Sequence, residues 1–582
     1  MRKGMLILAL VLGLSWTGLA GRAAGGDNAP PDIPGKEVKD ADPVLDAMRA
    51  ELQRSWDKLS RAETAPLYYL DYEITEETNY WLAGVLGGLE TDSQSSERYL
   101  DVDARVGSPQ LDNTHEIKGR DSWWSETSRR QKVRVPVEDD PAALRAALWA
   151  QTDSAYKAAQ ERFTKVKTNR AVTAEEEDRS PDFSQEDKPE RYYETRRFPE
   201  LDRDLWRARV RGLSARFKDQ AFIYDSAVAL SVKAENRYFV SSEGARIKSG
   251  NVFIRLFYRI STRTTDGMDL YRFKSYDANR LEDLPPDAAV LRDMEKSIAE
   301  LKALKDAPLV EPYAGPVILS NHAAAVFFHE IFGHRVEGQR QKKESEGQTF
   351  TKKLNDKVVS DFISVYDDPT QERFRGTFLR GFYKYDDEGV KSRRVTLVEN
   401  GILRNFLLNR MPIKGFPRSN GHGRREPGRA TVARMGNILV EASRSVPYAR
   451  LRRELIAEIS RQQKPFGLVF EDVSGGFTST GRGLVQAFKV QPLLVYKVYA
   501  DGRPDEVVRG VDIVGTPIAG FMKILAAGDD PDIFNGSCGA ESGFVPVSAV
   551  SPSLLISEME VEKVSKSQAK PPILPPPYGD KP

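Results

Sequence analysis

Residues 327–334 read FFHEIFGH, and the spacing of His329, Glu330 and His334 decides what kind of domain must surround them. The pattern is H-E-x-x-x-H, one residue longer than the H-E-x-x-H of zinc peptidases. On a regular helix, residues four apart lie roughly 40° apart around the axis, and residues five apart roughly 140°. At the longer spacing two imidazoles cannot share an ion on an unbroken helix. The spacing therefore predicts a widening, such as a π-bulge, in a helix from Asn321 to about Val336. Ser320 and Asn321 suit its N-cap, and Gly333 is the residue type that tolerates such a distortion.

Histidine is scarce, with only His115, His322, His329, His334 and His422, and Cys538 is the single cysteine. An internal disulfide is therefore impossible, and Cys538 is a buried hydrophobe, a nucleophile or a metal ligand. Two histidines on a helix of Ala, Val and Phe can be plain core residues. Against that, Glu330 directly follows His329, the position of the general base in zinc peptidases. Cys538 sits in FNGSCGAESG, a small-residue loop where a thiolate can approach an ion. His, His and Cys with an open fourth position form a catalytic zinc set. Glu337, three residues after His334, is a rival third ligand or an ordinary surface glutamate. His322, two turns before His329, is too far along the helix to share the ion.

The 582 residues are 40% hydrophobic and 29% charged, which suits a globular chain of at least two domains. A net charge of +1 carries no basic excess for nucleic acid, and none is expected as a partner. Residues 1–24 combine Arg2, Lys3, an apolar run from Met5 to Leu19 and small residues at the end. This is a secretory signal pattern, too short for a durable span, so the expected protein is periplasmic or secreted, with no membrane span in the mature chain.

An α+β fold is expected, a mixed amino-terminal α/β domain over 25–310 followed by a β-rich domain over 311–564 that carries the motif helix. Leu45, Met48, Leu52 and Leu59 predict an amphipathic helix over Pro43–Glu63, and further helices are expected over Pro141–Val166 and Pro199–Phe217. PLYYLDYEITEETNYWLAG and RYLDVDARVG alternate as strands. The polar stretch 168–194 reads as a mobile acidic insertion, and 565–582 as a Pro-rich disordered tail. VTLVENGILRNFLL predicts a hairpin turning at Asn400-Gly401.

HEIFGHRVEG together with GSCGAESGFVPVSAVSPSLLISEMEV resembles the TldD/PmbA family of metallopeptidases, in its TldD-like catalytic branch. YDDEG, VTLVENGIL, GRATVARMGN and EDVSGGFTS stand in family order between the two motifs. The likeness covers residues 310–562 well and the first half more loosely. It implies Zn2+ on His329, His334 and Cys538, with Glu330 activating a zinc-bound water for hydrolysis of peptide bonds in unfolded polypeptides or short peptides. It also implies pairing with a TldE/PmbA subunit; because this chain carries an export signal, the expected pairing is a homodimer or a heterodimer with an exported TldE/PmbA-like paralogue. His422, Arg424 and Arg434 are candidate donors to a tetrahedral oxyanion, although SNGHGRREPGR reads equally as a solvated turn whose arginines form surface pairs. The glycines of VSGGFTSTGRG admit an extended peptide as an added strand, or are ordinary hairpin glycines. Two other classes stay open: a zinc-stabilised assembly or peptide-binding protein that cleaves nothing, and a cysteine hydrolase built on Cys538.

Overall fold

The computed structural model describes residues 42–117, 132–172, 177–186, 188–483, 487–516, 520–564, 570–574 and 576–577. The leader expected at 1–24 lies outside them, as does much of the tail expected at 565–582. The fold is α+β, as the patterning predicts.

In the first half, aromatic and β-branched residues build long strands: β1 (Leu67–Val85), β2 (Gly88–Ser108), β3 (Asp225–Ser241), β4 (Arg246–Arg263) and β5 (Asp269–Ala278). They pair antiparallel in the order β2-β1-β3-β4-β5. Leu86 and Gly87, both at positive φ, close the β1–β2 hairpin in two residues. Helices α1 (Pro43–Leu59) and α2 (Pro141–Val172) bury Met48, Leu144 and Leu148 against one end of β1. At its other end, α3 (Arg203–Ser214) and α4 (Asp287–Asp306) bury Trp206, Val210 and Met294.

The stretch 168–194 departs from expectation. Helix α2 runs six residues past Val166, and residues 177–186 include a buried anchor rather than a solvated linker. Phe183 packs on Tyr69 and lies under the guanidinium groups of Arg105 and Arg410, while Asp182 pairs with His115 at 2.7 Å. One aromatic residue with cationic neighbours outweighs the polar composition around it.

In the second half, the two larger sheets among the described residues pack around one helix. β6 (Tyr313–Leu319), β10 (Gly467–Thr478), β11 (Phe488–Val498), β12 (Val511–Gly515) and β15 (Leu554–Lys563) pair in the cycle β10-β6-β15-β12-β11-β10, which closes a barrel. The other sheet contains β8-β7-β9-β14-β13, where β7 is Ile363–Asp367, β8 Val395–Glu399, β9 Asn437–Ala442, β13 Asp532–Ala540 and β14 Gly543–Ser551. Asn400 and Gly401, at φ 48° and 84°, turn β8 back into Ile402–Leu403, so the predicted hairpin forms. Helix α5 (Asn321–Ile331) touches β10 and β11 of the barrel and β13 and β14 of the sheet. Phe327 and Phe328 seat it in the largest apolar core, with Phe488 and Phe521.

Candidate metal centre

Helix α5 ends earlier than expected, and it breaks where a bulge was predicted. Phe332 leaves helical geometry at φ −117°, and a short 3-10 turn over Gly333–Val336 carries His334. A 3-10 turn advances roughly 120° per residue, so the change of helix type alters the angular offset that five α-helical residues would impose. Arg335 supports the break by donating to the Glu330 carbonyl at 3.0 Å and to that of Ser479 at 3.0 Å. Gly333 serves close packing: a Cβ there would stand 2.0 Å from the Met435 sulfur. At the start of the helix, Ser320 donates its hydroxyl to the Glu471 carbonyl, and the Asn321 side chain accepts from the His322 amide instead.

The break turns both imidazoles towards β13. Nε2 of His329 and Nε2 of His334 each lie 3.2 Å from Sγ of Cys538, and the rings stand at 85°. A ligand atom from each of the three residues lies within 4.8 Å of the others. All three side chains are buried. Burial alone would push the Cys538 thiol up, but His334, Arg434 and His329 outweigh it and hold the thiol well below its ordinary range. Burial works the other way on His334, where the Cys538 sulfur and Glu337 raise the imidazole to about 10. The pocket thus favours a thiolate, the form that ligates metals.

Glu330 is buried, and burial raises its carboxyl despite His329 and His334 nearby. Its Oε2 has no hydrogen-bond partner among the described residues. Gly476 of β10 covers it so closely that a Cβ would meet Glu330 Cγ at 2.6 Å. This glycine of VSGGFTSTGRG therefore gives the carboxylate its room.

Glu337 is neither a surface residue nor placed as a third ligand. It is fully buried behind His334, with Oε1 3.2 Å from Nδ1 and Oε2 accepting from Arg340 at 2.8 Å. A carboxylate on the far ring nitrogen orients a ligating histidine and sets its tautomer. Arg340 also binds Glu541 and Glu346, each at 2.9 Å. The spacing of Glu337 three residues after His334, and of Glu541 three after Cys538, was the available signal for this shell. Reading Glu337 as a ligand or a surface residue overlooked it.

The candidate oxyanion donors separate. Arg434 donates to the Cys538 carbonyl at 2.6 Å and to Ser542 at 2.8 Å, so it holds the ligand strand in place. His422 is fully buried and pinned by Asp367 and Asn420. Arg424 donates to the carbonyls of Met435 and Pro546, both at 2.7 Å. The loop SNGHGRREPGR is locked against the first sheet: Arg425 lies 3.6 Å from Glu73, and the Gly428 amide donates to Asp101 at 3.0 Å. A solvated turn is thereby corrected, because the acids on β1 and β2 draw in the arginine and amide groups that the turn presents.

His322, at the far end of α5, lies 3.8 Å from Asp472, just ahead of the Gly476 segment, and 3.4 Å from Asp532, which starts β13. Burial opposes protonation there, but the two aspartates outweigh it and raise the imidazole to about 9. Its stabilising contribution is complete below the unfolded value of about 6.5 and is lost as pH rises through about 9. The imidazole is 38% exposed, so solvent screening limits the effect to that of a surface pair, about 1 kcal/mol or less. Melting temperatures between pH 7 and 10 are expected to fall more in wild type than in His322→Gln; parallel curves would remove the clamp.

Three residues on a helix break and a β-strand, with a buried carboxylate beside them, form a donor group that could hold a metal ion. Residues 312–563 match the PmbA/TldA metallopeptidase C-terminal domain. Through this region the chain is similar to the TldD/PmbA family. It is 28% identical over 312 residues, 53% of its length, to a metalloprotease of Methanocaldococcus jannaschii, covering 64% of that protein. A zinc metalloprotease TldD homolog of Saccharolobus solfataricus is 27% identical over 319 residues, with 54% of this chain and 62% of the relative covered. Across the first three curated relatives the chain spans 48–64% of their length. TldE from Thermococcus kodakarensis shares the fold, at a TM-score of 0.55 and 14% identity over 89% of this chain and 100% of that one. Among the described residues no helix is long and apolar enough to cross a membrane.

Proposed function

We propose that this chain is a zinc-dependent peptidase of the TldD-like branch, hydrolysing peptide bonds in unfolded polypeptides or short peptides. The observation that carries the reading is the convergence of His329, His334 and Cys538 beside the buried, unpartnered carboxylate of Glu330. Two imidazoles and a thiolate are a borderline-soft donor set that suits zinc, and a relative named as a zinc metalloprotease supports the choice. A cysteine hydrolase would need one imidazole as base and would leave the second idle. A purely structural zinc site closes on four ligands, whereas this group offers three with a free carboxylate at its side.

His329, His334 and Cys538 would hold the ion, and Glu337 would keep Nε2 of His334 directed at it. Zinc, when bound, supplies a Lewis acid that polarises a peptide carbonyl and lowers the pKa of water. Glu330 Oε2, unengaged by the protein, takes a proton from the attacking water and passes it to the departing amine. Burial raises this carboxyl, which brings its proton affinity nearer that of the groups it serves. Arg434, committed to Ser542 and the carbonyls of Gly543 and Cys538, acts by holding the Cys538 strand in place.

The deep burial of the site favours chains without structure of their own, because a folded substrate must first open locally to present a peptide bond. An unstructured polypeptide should be degraded while a stable folded domain of similar length survives; equal rates would refute this access. The likeness to a TldE fold supports a paired assembly, either a homodimer or a heterodimer with a TldE/PmbA-like paralogue. Residues 1–24 support export to the periplasm or beyond, and amino-terminal sequencing of native protein that returned Met1 would contradict it. The function itself is tested by zinc content beside peptide hydrolysis with and without chelator. Hydrolysis should stop on chelation and return with zinc. Activity that survives chelation but not alkylation of Cys538 would overturn the metal reading.

A further inference from the structure

A cleft lies between the first sheet and the second half of the chain, lined by five charged side chains, Glu235, Arg237, Lys384, Asp387 and Arg424, together with Tyr383. Four of the five are matched with opposite charge. Arg237 pairs with Asp387 and, at 2.7 Å, with Glu235; Lys384 pairs with Glu194 at 2.6 Å. Arg424 differs. Among the described residues no carboxylate lies within ion-pair distance of it, although it is only 7% exposed.

Its Nη1 is committed to the carbonyls of Met435 and Pro546, and its guanidinium carbon lies 4.7 Å from the centre of the Tyr383 ring. Those contacts fix the side chain without neutralising it. Burial and the repulsion of Arg237 and Arg434 depress its pKa, against the pull of Tyr383 and Asp387. A buried guanidinium in such surroundings is costly unless an anion completes it. Planar forked donors match a carboxylate best.

The cleft and the candidate metal centre are linked through strand β14. Val545 and Pro546 form part of the cleft wall, and Val545 stands opposite Cys538 in the β13–β14 register. Met435, whose carbonyl Arg424 binds, packs its sulfur against Gly333. We infer that this cleft is a carboxylate-binding subsite in which Arg424 anchors a substrate peptide by a carboxyl terminus or an acidic side chain. The inference rests on the peptidase reading for the substrate class, but the subsite itself is defined by charge.

The test uses the full chain loaded with zinc and carrying Glu330→Gln, so that peptides stay intact. Calorimetry compares an acetylated hexapeptide with a free carboxyl end, its carboxamide, and the carboxamide bearing a central glutamate or glutamine. A carboxylate peptide is expected to bind at least about tenfold tighter than its neutral counterpart, as for a hydrogen bond to a charged group. The arm that shows the preference tells terminus from side chain. Arg424→Gln should remove the preference and Arg424→Lys restore part of it. Ser249→Asp, which adds a carboxylate to the lining without touching the Arg424 contacts, should remove it as well.

Equal binding of charged and neutral peptides, or a preference that survives both Arg424→Gln and Ser249→Asp, overturns the subsite. Hydrolysis is scored separately on the Glu330 protein. Glu330-dependent hydrolysis without a carboxylate preference sinks the subsite alone. A preference without hydrolysis sinks the peptidase reading and leaves the subsite standing.

Discussion

Glu330→Gln is expected to keep its zinc and lose peptide hydrolysis by a factor on the order of a hundred to ten thousand, the range of a general base. The two effects separate because Glu330 stands beside the donor cluster and outside it: the group that can hold an ion consists of His329, His334 and Cys538. Glutamine nearly matches glutamate in volume, so the tight fit under Gly476 is preserved. What disappears is proton affinity at an oxygen that no protein group engages. The loss should fall on kcat, since a base acts in the transition state and contributes little to ground-state binding. Zinc content by elemental analysis and steady-state kinetics on one preparation check both halves. A variant that hydrolyses at the wild-type rate would remove Glu330 from the mechanism.

Cys538→Ala is expected to lose bound zinc and, with it, the stability that zinc confers. A ligand that binds only the folded chain stabilises it by about 2.7 kcal/mol at a free concentration one hundred times its Kd. Wild type should therefore melt higher with zinc and lower with chelator, while Cys538→Ala should respond to neither. His334→Ala should behave alike, and Glu337→Gln should weaken zinc about ten- to a hundredfold, as loss of a carboxylate behind a ligating histidine does. The graded series matters because Glu337 touches only the far nitrogen of His334. If Glu337→Gln lost zinc as completely as His334→Ala, its carboxylate would have to be a ligand after all. Chelator-dependent melting that persisted in Cys538→Ala would exclude the thiol from the centre.

The residues that meet at the centre were legible in the sequence because their chemistry is rare. Five histidines and one cysteine leave few ways to assemble an N/S donor set, and Glu330 beside His329 adds a candidate base. The Asn400-Gly401 turn and the strand of YYLDYEITEETNYW were readable for a related reason: each rests on a local preference that operates within a few residues. Tertiary structure decided everything that depends on distant partners. Cys538 lies 204 residues beyond His334, and only the seating of α5 between barrel and sheet brings its sulfur to 3.2 Å. The helix breaks at Phe332 because Met435 and Arg335 make a break favourable there, a contest that spacing along the chain does not register. Phe183 turns an acidic stretch into a buried anchor, and acids on β1 and β2 turn a glycine-rich loop into a locked one. Local periodicity reports the preferences of one segment, whereas the burial of a charge depends on whether another segment arrives to pair with it.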